Sequence, residues 1–297
     1  MGITTRNVLT CVFLLFCILS AVLFSKSACA GNERTVAFVV KPLVNPFYSE
    51  MVEEARKYAS KHEVLLEVFG VDRETDVDHQ ISIIENLIAR GYRAIILAPV
   101  DSKKLVPVCR KAIEKNIVVI NVETPLHRPS MERLGISIPF IGSDSFDGGR
   151  KIGTYIKSRL KGKGRVLVLE GIPGAQSSEL RKAGFIEAVR ENSSIEVVSS
   201  KTANWKTDEA LSLTVDFLSE HQSLEAIFCA NDMMVLGALQ AIDLLGVSQP
   251  ILLAGYDNIE QVRVEMISGR IHATMEQHPG IIGELGVEAA LAKMNGS

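Results

Sequence analysis

The chain has 297 residues with 32 basic and 35 acidic side chains, a formal net charge of −3, and that near balance offers nucleic acid no basic surface. No block of like charge runs five or six residues, which excludes a polybasic arm and an acidic tail. The length exceeds what one small core needs and approaches the size at which chains divide into two domains.

Residues 1–30 read as a secretory signal. Arg6 stands in a short n-region without acids, an apolar run covers 8–24, and the small-residue site Ala28-Cys29-Ala30 precedes Gly31. Cleavage is expected after Ala30, with an uncleaved membrane anchor as the alternative, and Lys26 three residues ahead of Cys29 speaks against lipidation. Beyond Phe24 no apolar stretch is long enough to span a bilayer.

Apolar runs then predict strands at 35–40, 64–69, 94–97, 117–122, 140–142, 165–169, 196–199, 226–229, 251–254 and 272–275. Between most of them lie amphipathic segments with apolar residues three and four apart, as in Ile81, Ile84, Leu87 and Ile88. Strand and helix in alternation predict parallel sheets covered on both faces. Of the five cysteines, Cys109 (on a helix predicted over 103–115) and Cys229 lie beyond the signal. Both are flanked by core-like residues and are expected as buried free thiols, although export would permit a disulfide.

In such sheets ligands sit beyond the carboxyl ends of the strands. Those ends carry Asn45-Pro46-Phe47-Tyr48, Ala98-Pro99-Val100-Asp101-Ser102, Asn121-Val122-Glu123-Thr124, the stretch from Gly171 to Arg181, Ala203-Asn204-Trp205, Asn231-Asp232, Gly255-Tyr256-Asp257 and Glu276-Gln277-His278. Carboxylates, amides, an arginine and aromatics together suit a polyol, whose hydroxyls need donors and acceptors on several sides and whose C–H face needs a flat wall. Asp72, Asp76 and Asp78 lack the pattern of a calcium loop and read as a solvated helix start. The six histidines have no metal-site spacing. Walker, dinucleotide and nucleophile-elbow motifs are absent from the sequence.

With Asn45-Pro46-Phe47-Tyr48, the Ala98-Pro99-Val100-Asp101-Ser102 turn, Ile141-Gly142-Ser143-Asp144, Arg181 with Gly184-Phe185, Ala230-Asn231-Asp232 and Gly255-Tyr256-Asp257 in this order, the chain resembles the periplasmic sugar-binding proteins of the ribose-binding type. The resemblance spans the chain from Arg34 to the last helix. It implies an α/β fold of two similar doubly wound parallel-sheet lobes joined by crossing hinge strands, the type I periplasmic binding protein fold. Residues 31–143 with 279–297 would form the first lobe and 144–278 the second.

The resemblance makes Asn45 a polar contact, Phe47 and Tyr48 ring-stacking candidates, Arg181 and Asp257 charged partners of sugar hydroxyls, and Asn231 and Gln277 amide contacts. Trp205 and Tyr256 would wall the ring, while Asp232 reads as a helix N-cap. Where the ribose-binding pattern has Asn before the proline of the third-strand turn and Asp-Arg after the fourth strand, this chain has Ala98 and Glu123-Thr124, which implies a ligand differing from ribose where the first lobe touches it. The family continues about one strand beyond the position of Ser297, so two crossings are expected, near Ser143-Asp144 and Gln277-Pro279, in a truncated chain or a sensor fragment. The implied function is a non-enzymatic, cofactor-free and metal-free periplasmic receptor that passes a monosaccharide or polyol to the permease of an ABC importer. A sugar-sensing domain that presents its closed form to a chemoreceptor or sensor kinase is the alternative. An enzyme would need two carboxylates flanking a bond.

Overall fold

The computed structural model describes residues 35–220 and 223–296, so the expected signal lies outside the described residues. Strands β1 (Thr35–Val40), β2 (Leu65–Gly70), β3 (Ala94–Leu97), β4 (Val118–Val122) and β5 (Phe140–Ile141) form one sheet in the order β2-β1-β3-β4-β5. A second sheet, in the order β7-β6-β8-β9, contains β6 (Lys163–Glu170), β7 (Ser194–Thr202), β8 (Ala226–Cys229) and β9 (Leu252–Ala254). Every pairing in both is parallel.

Helices α1 (Pro46–Lys61), α2 (Val77–Arg90), α3 (Val106–Glu114) and α4 (Arg128–Arg133) follow the first four strands. The second half carries α5 (Ser145–Arg159), α6 (Gln176–Arg190), α7 (Thr207–Glu220), α8 (Asp232–Leu245) and α9 (Glu260–Ile267), and α10 (Pro279–Met294) comes last.

The period-two alternation of strand side chains decides which helices each sheet face receives. Val36, Phe38 and Val40 of β1 face Met51 and Val52 of α1 and Ile282 and Val287 of α10. Ala37 and Val39 face Ile84 and Leu87 of α2 and Val106 and Cys109 of α3. In the second sheet Val166 and Val168 meet α5 and α6 through Ile152, Ile156 and Phe185, and Leu167 and Leu169 meet Met234 and Val235 of α8. With both faces covered, all-parallel strands read as continuous apolar runs, the signal that made them visible in the sequence.

The expected strand at 272–275 is a correction. It makes only the isolated bridges Ala254 to Ala273 and Asp257 to Glu276. Backbone bonds still link the segment to 253–257, from the His272 N–H to the Leu253 carbonyl at 2.9 Å and from the Gly255 and Asp257 N–H groups to the Ala273 and Met275 carbonyls at 2.9 and 2.8 Å. Side chains join them: the Leu253 N–H donates to the His272 ring at 3.1 Å, and the Asn258 N–H donates to the Thr274 hydroxyl at 3.1 Å.

Between β5 and α5 the chain passes from the first sheet to the layer that packs α5 on α6, and after Glu276 it returns so that α10 packs on α1 and β4. The two passages touch, the Ser143 hydroxyl donating to Gln277 Oε1 at 2.6 Å. His278, at φ 55°, turns the chain into α10. Strand order reverses between β1 and β3 in one sheet and between β6 and β8 in the other, and the loops at these two switch points face each other.

Candidate functional site

On the first-lobe side, β1 runs directly into Lys41, whose side chain is 1% exposed. Its ammonium donates to Glu123 Oε2 and to the Thr124 hydroxyl, each at 2.9 Å, and lies 3.8 Å from Glu74. Asn45 is the N-cap of α1, its Oδ1 accepting from the Phe47 N–H at 3.1 Å with Pro46 opening the helix. That cap fixes the turn from which Tyr48 donates its hydroxyl to Glu123 Oε2 at 3.3 Å.

Arg181 projects from α6 on the second-lobe side, fully buried. It donates from Nη1 to the Ala230 carbonyl at 3.0 Å and from Nη2 to Glu123 Oε1 at 3.5 Å, and it stands 3.6 Å from Asp257 Oδ1. The guanidinium lies 3.9 Å over the Tyr256 ring and 5.5 Å from the Trp205 ring. Asp257 accepts from Gln277 Nε2 at 2.7 Å, so the chain of bonds from Arg181 runs through Asp257 and Gln277 to Ser143 at the hinge. Four contacts tie the lobes across the cleft: Thr124 Oγ1 to Ser177 Oγ at 3.0 Å, the Ser102 N–H to the Gly174 carbonyl at 3.0 Å, the Gln176 N–H to the Ser102 hydroxyl at 2.9 Å, and Glu123 to Arg181.

Backbone strain is also present in the site. Glu123 (φ 61°), Trp205 (φ 63°) and Asp257 (φ 122°) all occupy the left-handed region, which costs a non-glycine residue about 1–3 kcal/mol and concentrates at binding and catalytic sites. The buried Arg181 Nε and Trp205 Nε1 have no protein acceptor among the described residues, against the general rule that buried donors are bonded.

Burial pushes the Glu74 carboxyl up to about 7, with Lys41 pulling the other way. Burial also raises Glu123, but Lys41, Arg181 and the Thr124 hydroxyl outweigh it and hold that carboxyl below its ordinary value. Asp257 is raised by burial against the opposing pull of Arg181. Lys41 and Arg181 thus stand opposite Glu123 and Asp257 in a compact cage of alternating charge that presents both donors and carboxylate acceptors.

Lys41, Asn45, Tyr48, Glu74, Glu123, Arg181, Trp205, Asn231 and Asp257 line one small cavity between the lobes. Of the residues expected from the sequence, Asn45, Tyr48, Glu123, Arg181, Trp205, Asn231 and Asp257 come together there. Thr124, Tyr256 and Gln277 stand one layer back, holding Glu123, Arg181 and Asp257. Phe47 does not reach the cavity: it packs edge-on to Tyr48 at 5.2 Å in the first core, because α1 turns its apolar face inward. The N-cap role expected of Asp232 belongs to Asn231, whose Oδ1 accepts from the Met234 N–H at 2.9 Å. Asp232 instead clasps the Asp257 loop, accepting from the Ile259 N–H at 3.0 Å and the Thr274 hydroxyl at 2.8 Å.

Lys41 and Glu74 were not expected. A lysine immediately after a fully apolar strand was the available signal for the first, whereas Glu74 was masked by a loop of charged neighbours.

The sequence matches the family described as a periplasmic binding protein domain over residues 36–297. It is 32% identical to the D-ribose/D-allose-binding protein of Pseudomonas aeruginosa, over 99% of this chain and 92% of that protein. It is 31% identical to the D-allose-binding periplasmic protein of Escherichia coli, over 91% of this chain and 87% of that one. The structure resembles that of an ABC transporter periplasmic solute binding protein from Actinobacillus succinogenes with bound D-allose. That likeness has a TM-score of 0.84 and 31% identity, covering 88% of this chain and 91% of the other.

Proposed function

The chain belongs to the periplasmic binding protein domain family, in its ribose-type sugar-binding branch, and we propose that it is an exported receptor that closes its lobes over one aldose and delivers it to an ABC importer. Its relatives are binding proteins rather than enzymes. The observation that carries the reading is the buried cage of Lys41, Glu123, Arg181 and Asp257 at the facing strand ends of the two lobes.

A sugar hydroxyl both donates and accepts, so a ring entering this cage exchanges ion pairs between side chains for bonds to ligand. Each such charged hydrogen bond is worth about 1.5–3 kcal/mol. Lys41 and Glu74 add polar partners on the first-lobe side, where the sequence departs from the ribose-binding pattern. With relatives named for D-allose, this favours an aldohexose of the allose type over ribose. The lobe boundaries at 143/144 and 278/279 and signal cleavage after Ala30 belong to the same proposal, as does release into the periplasm.

A thermal-shift panel of pentoses, hexoses and inositols tests it. A ligand at a thousand times its Kd adds about 4 kcal/mol, so a rise in melting temperature with D-allose above that with D-ribose is expected. No shift with any sugar or polyol would overturn the proposal.

A further inference from the structure

We propose that the ligand is a sugar bearing an apolar substituent, with the sugar in the charged cage and the substituent in a groove on the outer side of Trp205. This rests on the receptor reading above and extends its ligand class from the free aldose to glycosides of the same sugar. Two spaces meet at Trp205. The inner cavity has a volume of about 10 Å³, room for no more than one water, so a sugar enters it only as the lobes and the caged side chains part. The groove beside it has a volume of about 500 Å³, within the size range of small-molecule sites, and it is present with the lobes in contact. Asn45, Glu74 and Trp205 line both spaces, so the two adjoin, and as the caged side chains part a substituent on the sugar would reach the groove past them.

The chemistry of the two spaces differs. Charged and amide groups dominate the inner one; Asp72, Arg73, Glu74, Lys206 and Asp208 also edge the groove, but most of its surface is apolar, with Pro42, Val44, Ile172, Leu211 and Met233 in its wall. A free sugar presents hydroxyls in every direction and gains little from such a wall; a glycoside with an alkyl or aryl group fits both halves. The groove is open on its outer side, where Val44 is 89% exposed. Its second-lobe wall is built rigidly: the Thr207 hydroxyl donates to the Met233 carbonyl at 2.9 Å, and the missing Cβ of Gly237 lets the Thr207 carbonyl of α7 lie against α8.

Calorimetric titration of the full mature chain with D-allose, D-ribose and the methyl and phenyl glycosides of each, in both anomers, tests this. One phenyl glycoside is expected to bind at least as tightly as its parent sugar and about tenfold more tightly than its methyl counterpart. Val44→Asp, at an exposed position, and Met233→Glu should each remove that tenfold gain while leaving the free-sugar affinity unchanged. Free sugars binding while every phenyl glycoside binds more weakly would overturn the groove and leave the receptor reading standing. A phenyl gain that survives both substitutions would also overturn the groove. Binding by none of the compounds would overturn both readings.

Discussion

The Lys41 ammonium lies 2.9 Å from Glu123 and 3.8 Å from Glu74 with almost no exposure to water. Removing one member of such a buried pair leaves the other charge uncompensated, at a cost of about 3–5 kcal/mol. Lys41→Met is therefore expected to destabilise the protein by about that amount in urea unfolding, and a loss below about 1 kcal/mol would mean that Glu123 finds its partners elsewhere. Glu74 is held up to about 7 from an ordinary 4.5, so its contribution to stability is full below pH 4.5 and is lost as pH rises to about 7, at up to about 1.4 kcal/mol per unit. Asp232, pushed up to about 6 by burial, acts in the same direction; Glu123, held low, acts oppositely and loses its contribution only as pH falls below the ordinary carboxylate range. Melting temperature should fall between pH 5 and 7, and Glu74→Gln should flatten that slope. An identical slope in the variant would show that the proton resides on another group. Asn45, Arg181 and Asp257 were legible in the sequence because the family resemblance implies polar contacts at these positions; Asn45 and Asp257 also follow strand ends, whereas Arg181 reaches the crevice from within α6. Lys41 and Glu74 were not, since a lysine's burial depends on partners from loops some 30 and 80 residues away.

Helices α5 and α6 meet across glycines. A Cβ on Gly149 would run into the carbonyl of Arg181, and one on Gly184 into the carbonyl of Phe146. The interface therefore sets how far Arg181 stands from the cleft, linking packing on the far side of α6 to the cage. Gly149→Ala is expected to cost about 1–3 kcal/mol through overpacking and to weaken sugar binding although residue 149 lines neither space; calorimetry and unfolding of the same variant measure both. Normal affinity at reduced stability would uncouple the interface from the site. Cys109 on α3 and Cys229 on β8 are both free and buried, and burial pushes the Cys109 thiol up to about 12. Thiolate chemistry is accordingly suppressed, and neither residue should react with iodoacetamide until the protein unfolds, as mass spectrometry would show. The central strands β1, β3 and β8 were readable as apolar runs because both of their faces are covered; the edge strand β7 is half-exposed and mixes polar residues into its run. The segment 272–275, with His272 and Thr274 between its apolar residues, pairs with 253–257 only as isolated bridges.

For the molecule as a whole, the chain crosses between the sheets twice among the described residues, and the crossings are bonded to each other by Ser143 and Gln277. Gln277 also holds Asp257, so the hinge and the carboxylate proposed to meet the sugar share one side chain. Glu123 meets Arg181 across the cleft, so on the proposed reading neither lobe alone offers a complete sugar site. The two-lobed architecture was legible from strand and helix alternation together with six motifs in family order. The way the cage pairs across the cleft was not, because it depends on the angle between the lobes. Titration calorimetry of the wild type and Arg181→Ala with D-allose tests the cleft site most directly. One sugar bound per chain is expected in the wild type, with affinity reduced about thirtyfold or more in the variant, equivalent to about 2 kcal/mol. Equal affinity in the two proteins would contradict a site between the lobes.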